Sequence, residues 1–195
     1  MRLSGVILSG GRSSRMNFNK AFADISGTPV LEIIINKFSK YFDDLMIITN
    51  EPELYHGMAP SVYTDLYPQM GPMAGIHAGL YFSKYESIFL LACDMPFFSM
   101  ELAAYMFSQG DGYDCVVPVI NRKLQPLSAV YNSTCMPELI DCLENNKLKL
   151  TRFVESINTR YLYENELLPF GNLETMFFNV NDMAALIRAR EMYGG

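Results

Sequence analysis

The segment Leu8-Ser9-Gly10-Gly11-Arg12-Ser13-Ser14-Arg15-Met16-Asn17-Phe18-Asn19-Lys20 is where residue types in this chain select a chemistry most plainly. Adjacent glycines let a backbone turn tightly and bring its N–H groups close to a ligand. Arg12, Arg15 and Lys20 add cations to the same loop. That combination suits phosphate. It is neither a GxxxxGK[ST] loop nor a GxGxxG fingerprint. A merely solvated basic loop would leave the meeting of glycines and cations after an apolar run unexplained.

Two further segments carry carboxylates at telling places. Cys93-Asp94-Met95-Pro96 follows the most apolar run of the chain. A carboxylate there is costly unless it is paired or metal-bound, and Asp94 reads as a Mg²⁺ ligand, because Mg²⁺ takes one or two carboxylates plus substrate phosphates. An N-cap role for Asp94 is the plain alternative, but Ser99 fills it better. Asp65 follows a short apolar run, and Gly71-Pro72 and Gly75 then open a helix. Asp65 could bind a ribose hydroxyl, join the metal's shell or simply form a turn. His77 reads as a core or surface histidine rather than a base, and His56 gives no signal.

The elements that must position these residues alternate. Leu3 to Leu8, Leu45 to Thr49, Ser61 to Thr64 and Ser87 to Cys93 read as strands, the last one central. Pro29 to Tyr41, Met73 to Tyr85 and Met100 to Ser108 read as helices. Cys115 to Val119 and Leu127 to Tyr131 read as strands, the second turned back and antiparallel. Cys135 to Asn145 and Thr151 to Ile157 read as helices, and Phe177 to Val180 as a last short strand. Asn181 or Asp182 caps a closing helix with Met183, Leu186 and Ile187 on one face and Arg188 opposite. The alternation predicts an α/β doubly wound sandwich with a mainly parallel sheet. Residues 1–195 are expected to form a single domain whose texture changes after Gly110. Ligands in such folds bind beyond the carboxyl ends of the strands, which selects the loops after Leu8, Thr49, Thr64 and Cys93.

LSGGRSSRM…K, DLYPQMGPMAGI, CDMPF and FFNVND, in that order, resemble the molybdenum cofactor guanylyltransferase (MobA) family. The resemblance runs through nearly the whole chain. It implies a Rossmann-like nucleotidyltransferase three-layer sandwich, with a nucleotide-binding half over about 1–110 and an acceptor half over about 111–195. It implies transfer of GMP from GTP to the terminal phosphate of molybdopterin or Mo-molybdopterin, with Mg²⁺ and release of pyrophosphate. By position, Leu8, Ser9, Gly10 and Gly11 line the nucleotide, Arg15 continues the loop, and Lys20 meets the phosphates. Asn50 and Asp65 fall at further nucleotide contacts, Asp94 at the nucleotide and Mg²⁺ position, and Asn179 and Asn181 in the acceptor region. Arg15, Lys20 and Asp94 are the catalytic candidates. Other molybdenum cofactor proteins and recipient molybdoenzymes are the implied protein partners.

Two departures bear on the base. The cytidylyltransferase sister group resembles LAAG and CDQP where this chain has Gly10 and Met95, and both differences point to guanine. A missing Cβ at position 10 leaves room for a purine. A nucleotidyltransferase using CTP or another NTP is the alternative. Asn17 and Asn19 stand where the family usually has Gly and Asp, which leaves the loop more positive.

Composition bounds the rest. The 15 Lys+Arg and 21 Asp+Glu give a net charge of −6, which argues against a general nucleic-acid binder. Before Asp24 the chain has only cations: Arg2, Arg12, Arg15 and Lys20. The N-terminal apolar run falls short of the about 7–15 residues of a secretory h-region, and no segment has the roughly 18 apolar residues of a membrane span. The 4 cysteines lack CxxC spacing and there are 2 histidines, so a zinc site is not expected and reduced cytoplasmic thiols are. Arg122, Lys123, Lys147, Lys149 and Arg152 are candidates for a second phosphate, or plain surface charges.

Overall fold

The middle strands of this protein are apolar on both faces, as a sheet covered on both sides requires. The computed structural model describes residues 2–10 and 20–194, the side chain of Lys20 excepted. The strands are β1 (Ser4–Leu8), β2 (Asp24–Ile25), β3 (Thr28–Pro29), β4 (Leu45–Ile48), β5 (Ser61–Tyr63), β6 (Ser87–Ala92), β7 (Cys115–Ile120), β8 (Lys123–Leu124), β9 (Ser128–Asn132) and β10 (Thr159–Tyr163). The helices are α1 (Val30–Phe38), α2 (Pro72–Phe82), α3 (Met100–Ser108), α4 (Met136–Glu144), α5 (Leu150–Ser156), α6 (Glu164–Leu167), α7 (Leu173–Met176) and α8 (Met183–Gly194).

One 8-stranded sheet runs in the order β10-β7-β9-β6-β1-β4-β5, with β8 paired to β7. The pairs β1–β4, β1–β6, β4–β5 and β7–β10 are parallel. β9 is antiparallel to both β6 and β7, as expected for the turned-back strand. Side chains alternate across the sheet. Ile7, Ile47, Phe89 and Leu91 meet α1, α3 and α8 on one face. Val6, Met46, Ile48 and Leu90 meet α2, α4 and α5 on the other. The result is a three-layer α/β sandwich, with β6 in the middle as its apolarity predicts.

Several expectations need correction. Phe177 to Val180 forms no strand. Its aromatics pack on a loop instead: Phe98 meets Phe177 edge-on at 5.4 Å and Phe97 lies 6.4 Å from Phe178. α8 buries Leu186 and Ala189, while Met183 and Ile187 are half exposed. Arg188 is exposed, with its guanidinium carbon 5.3 Å from the centroid of the Phe178 ring. Asp182 is the cap, accepting from the Ala185 N–H at 2.8 Å. Ser99 caps α3 as expected, accepting from Leu102 N–H at 3.3 Å.

Close packing on β1 rests on glycine. A Cβ at Gly5 would lie 2.7 Å from Phe42 Cδ2 and 2.8 Å from Phe38 Cδ1. Those rings are wedged against each other and against Phe89. At Gly75 a Cβ would meet Leu8 Cδ1 at 2.3 Å, but that is the end of a flexible side chain. Gly5→Ala is therefore expected to destabilise the protein by about 1–3 kcal/mol, and Gly75→Ala by less. Urea unfolding of both variants checks the order; equal costs would contradict it.

Candidate functional site

The backbone itself aligns the site. Leu8 is in register with Ile48 and with Ala92, and Ile48 with Tyr63. Hydrogen bonding continues one residue past the ends of β1, β4 and β6. Ser9 N–H donates to Ile48 O at 2.9 Å, Thr49 N–H to Tyr63 O at 2.9 Å, and Cys93 N–H to Leu8 O at 3.1 Å. The next residues are Gly10, Asn50 and Asp94, and Asp65 stands two residues beyond Tyr63, the end of β5. Register alone thus brings Gly10, Asn50 and Asp94 to one edge, and the parallel pairing of β5 with β4 brings Asp65 to the same edge.

Their local contacts differ. Ser9 is buried, with its hydroxyl 2.7 Å from the Tyr55 hydroxyl. Nothing local in the sequence announced that pairing. A Cβ on Gly10 would have Asn50 Nδ2 as its one described neighbour, at 3.9 Å. Gly10 is also absent from the glycines with positive φ. Neither the fold nor the backbone, among the described residues, demands glycine at position 10. Asn50 hydrogen-bonds the Asp65 carboxylate. Burial pushes the Asp65 carboxyl above the usual range, and the Asn50 hydrogen bond opposes that shift.

Asp94 is half-buried in the turn after β6. Its carbonyl accepts from Val180 N–H at 2.9 Å. That bond lays the 179–181 segment against the aspartate, so Asn179 and Asn181 stand beside it in space. Asn179 Nδ2 donates to Phe177 O at 3.0 Å, and Asn181 N–H to Asn179 O at 3.0 Å. A further clamp leaves no pattern in the sequence. Lys37 of α1 donates to Pro96 O at 2.7 Å, and burial pulls its ammonium below the usual lysine range.

Gly11, Arg12, Arg15, Asn17, Asn19 and the Lys20 side chain lie outside the described residues. His77 is buried against Tyr67 and Tyr81, with burial lowering its proton affinity, which fits a core histidine. Lys147 is exposed and paired with Asp141 at 2.9 Å. With Lys149 and Arg152 it lines a depression beside α4 and α5, apart from the strand-end residues. Arg122 sits at the tip of the β7–β8 hairpin, with Lys123 next to it. None of the four cysteines forms a disulfide. No described group of three or more His, Cys, Asp or Glu could cage a metal, and no described helix is long and apolar enough to cross a membrane. The donor set fits Mg²⁺ held by one or two carboxylates with substrate oxygens, not an all-protein cage.

The family model for a MobA-like NTP transferase domain matches residues 5–160. The chain belongs to that family. A probable molybdenum cofactor guanylyltransferase from Pelotomaculum thermopropionicum is 35% identical over 192 residues, covering 98% of this chain and 94% of the relative. The crystal structure of molybdopterin-guanine dinucleotide biosynthesis protein A from Archaeoglobus fulgidus superposes with a TM-score of 0.87 at 26% identity, covering 98% of this chain and 99% of that one. A CMP:2-keto-3-deoxy-manno-octonic acid synthetase complexed with CTP shares the fold at a TM-score of 0.76, with 11% identity and coverage of 100% and 99%.

The Asp65 environment gives a pH signature. A raised carboxyl pKa means the folded state favours the neutral form, so the associated stability is present at low pH and lost as pH rises through the folded value. Asp65→Asn is expected to stabilise the ligand-free protein at pH 7. The gain stays below about 1 kcal/mol, because water screens a half-exposed group, and it vanishes below about pH 4. Thermal unfolding at both pH values tests this; a variant less stable at pH 7 would contradict it.

Proposed function

We propose that this protein transfers GMP from GTP to the terminal phosphate of molybdopterin, forming the molybdopterin guanine dinucleotide and releasing pyrophosphate. The observation that carries the reading is the register row that places Gly10, Asn50, Asp65 and Asp94 on one edge. Full-length similarity to guanylyltransferases supports the nucleotide and the acceptor.

The acceptor phosphate oxygen forms a bond to the α-phosphorus of GTP, and the bond from that phosphorus to the β-phosphate bridging oxygen breaks. A phosphate monoester has its second pKa near 6, so it attacks as an anion and needs no general base. The obstacle is an anion approaching an anionic centre. Arg15 and Lys20 neutralise the phosphates, and Asn50 and Asp65 orient the nucleoside. Asp94 holds Mg²⁺, which neutralises phosphate charge when bound. Asn179 and Asn181 bind the acceptor beside it. Catalysis then rests on position and charge. The product passes to recipient molybdoenzymes and to other molybdenum cofactor proteins in the cytoplasm.

Asp94→Ala is expected to abolish turnover at every Mg²⁺ concentration, a loss on the order of 3–4 kcal/mol in the barrier, without unfolding the protein. Pyrophosphate release with GTP, Mg²⁺ and molybdopterin is the assay; EDTA brings wild type to the same background. Near-normal transfer by the variant refutes the Asp94 assignment. Release with CTP but not GTP refutes the choice of base. Gly10→Ala, which the fold tolerates, is expected to erode the preference for GTP over CTP. An unchanged ratio means the missing Cβ does not select the purine.

A further inference from the structure

The β7–β8 hairpin contains an expensive choice. Ile120 pairs with Lys123, leaving Asn121 and Arg122 as a two-residue loop. Both have positive φ, 50° and 61°. That is a type I′ turn, whose second position strongly favours glycine. The β2–β3 hairpin of the same chain obeys the rule: its loop is Ser26 and Gly27, with φ of 53° and 90°. At the β7–β8 tip an arginine occupies the glycine position. Backbone strain of this kind is kept where the side chain has work to do.

Arg122 lines a cleft of about 490 Å³ together with Val119, Tyr163, Glu164 and Asn165. The walls are tied together. Asn121 N–H donates to Glu164 Oε1 at 2.6 Å, joining the hairpin tip to the start of α6. Glu166 accepts from Tyr163 N–H at 3.2 Å and pairs with Arg160, fixing the other wall. Tyr163 is 56% exposed, so its ring is available. Volume and lining suit a small planar ligand with hydrogen-bonding edges.

The location narrows the ligand. β7 and β10 run parallel to β6, so their carboxyl ends lie on the same edge as Asp94. Two to three strand spacings separate them from β6, about 10–15 Å. A rigid tricyclic pyranopterin with its phosphate on a short methylene arm suits such a separation. We infer that the cleft formed by Arg122, Tyr163, Glu164 and Asn165 receives the pterin ring of the acceptor. The ring lies against Tyr163, its amino and ring N–H groups meet Glu164 and Asn165, and Arg122 meets its carbonyl edge. This inference rests on the guanylyl-transfer reading, since a different acceptor would not bring a pterin.

Arg122→Gly is the decisive variant, because glycine relieves the turn and cannot weaken it. At saturating GTP, Arg122→Gly and Tyr163→Ala are expected to raise the KM for molybdopterin about tenfold. The KM for GTP stays unchanged, Tyr163→Phe behaves as wild type, and Arg122→Gly unfolds no earlier than wild type. A second readout needs no turnover: fluorescence titration of the full-length protein with an oxidised pterin monophosphate, which both damaging variants should bind about tenfold more weakly. Unchanged molybdopterin KM and unchanged pterin affinity in both variants overturn the assignment. So does a rise in the GTP KM equal to that for molybdopterin. If wild type binds the pterin but releases no pyrophosphate, the transfer reading fails and the cleft stands as a pterin site.

Discussion

The site depends on the hydrogen bonds at the end of β1. This strand has a parallel neighbour on each side, and the ladder carries on one residue beyond it in both directions. Ser9 and Cys93 are held to their neighbouring strands by main-chain bonds, so the residues after them begin from fixed points. No side-chain contact has to bring Gly10 and Asp94 together. The glycines at positions 5, 75 and 79 serve the same end, because they let aromatic rings and α2 lie close against this strand. Precision here is a property of the sheet, and the loops inherit it.

Charge is distributed to suit that frame. The chain is acidic overall, yet every charged residue before Asp24 is a cation. The carboxylates at the edge are few: Asp65 braced by Asn50, and Asp94 braced through its backbone by Val180. A charge distribution of this kind spreads no general positive field over the surface, which separates it from that of a nucleic-acid binder.

Much of this was legible because the signals were local. The apolar run of β6 marked it as central, Ser99 announced its cap, and the cap of α8 was narrowed to Asn181 or Asp182. Glycine, asparagine and aspartate just past strand ends pointed to the edge where ligands bind. What escaped notice depended on distant partners. The Tyr55–Ser9 and Lys37–Pro96 contacts join segments with no common pattern. β10 is an edge strand with only Leu162 fully buried, so Thr159-Arg160-Tyr161 reads as polar loop. Phe177 and Phe178 looked like strand residues, but their rings found Phe97 and Phe98 and left the ladder unextended. On α8 the apolar residues surround more than one face, and tertiary packing chose Leu186 and Ala189.

The bond from Val180 to Asp94 also orders events in time. Chains emerge from the ribosome amino end first. β1, β4 and β6 are therefore available to pair while the segment that covers the aspartate is still unmade. The frame of the site is an early product of biosynthesis and its cover a late one, so a nascent chain holds an open half-site until its last helix arrives.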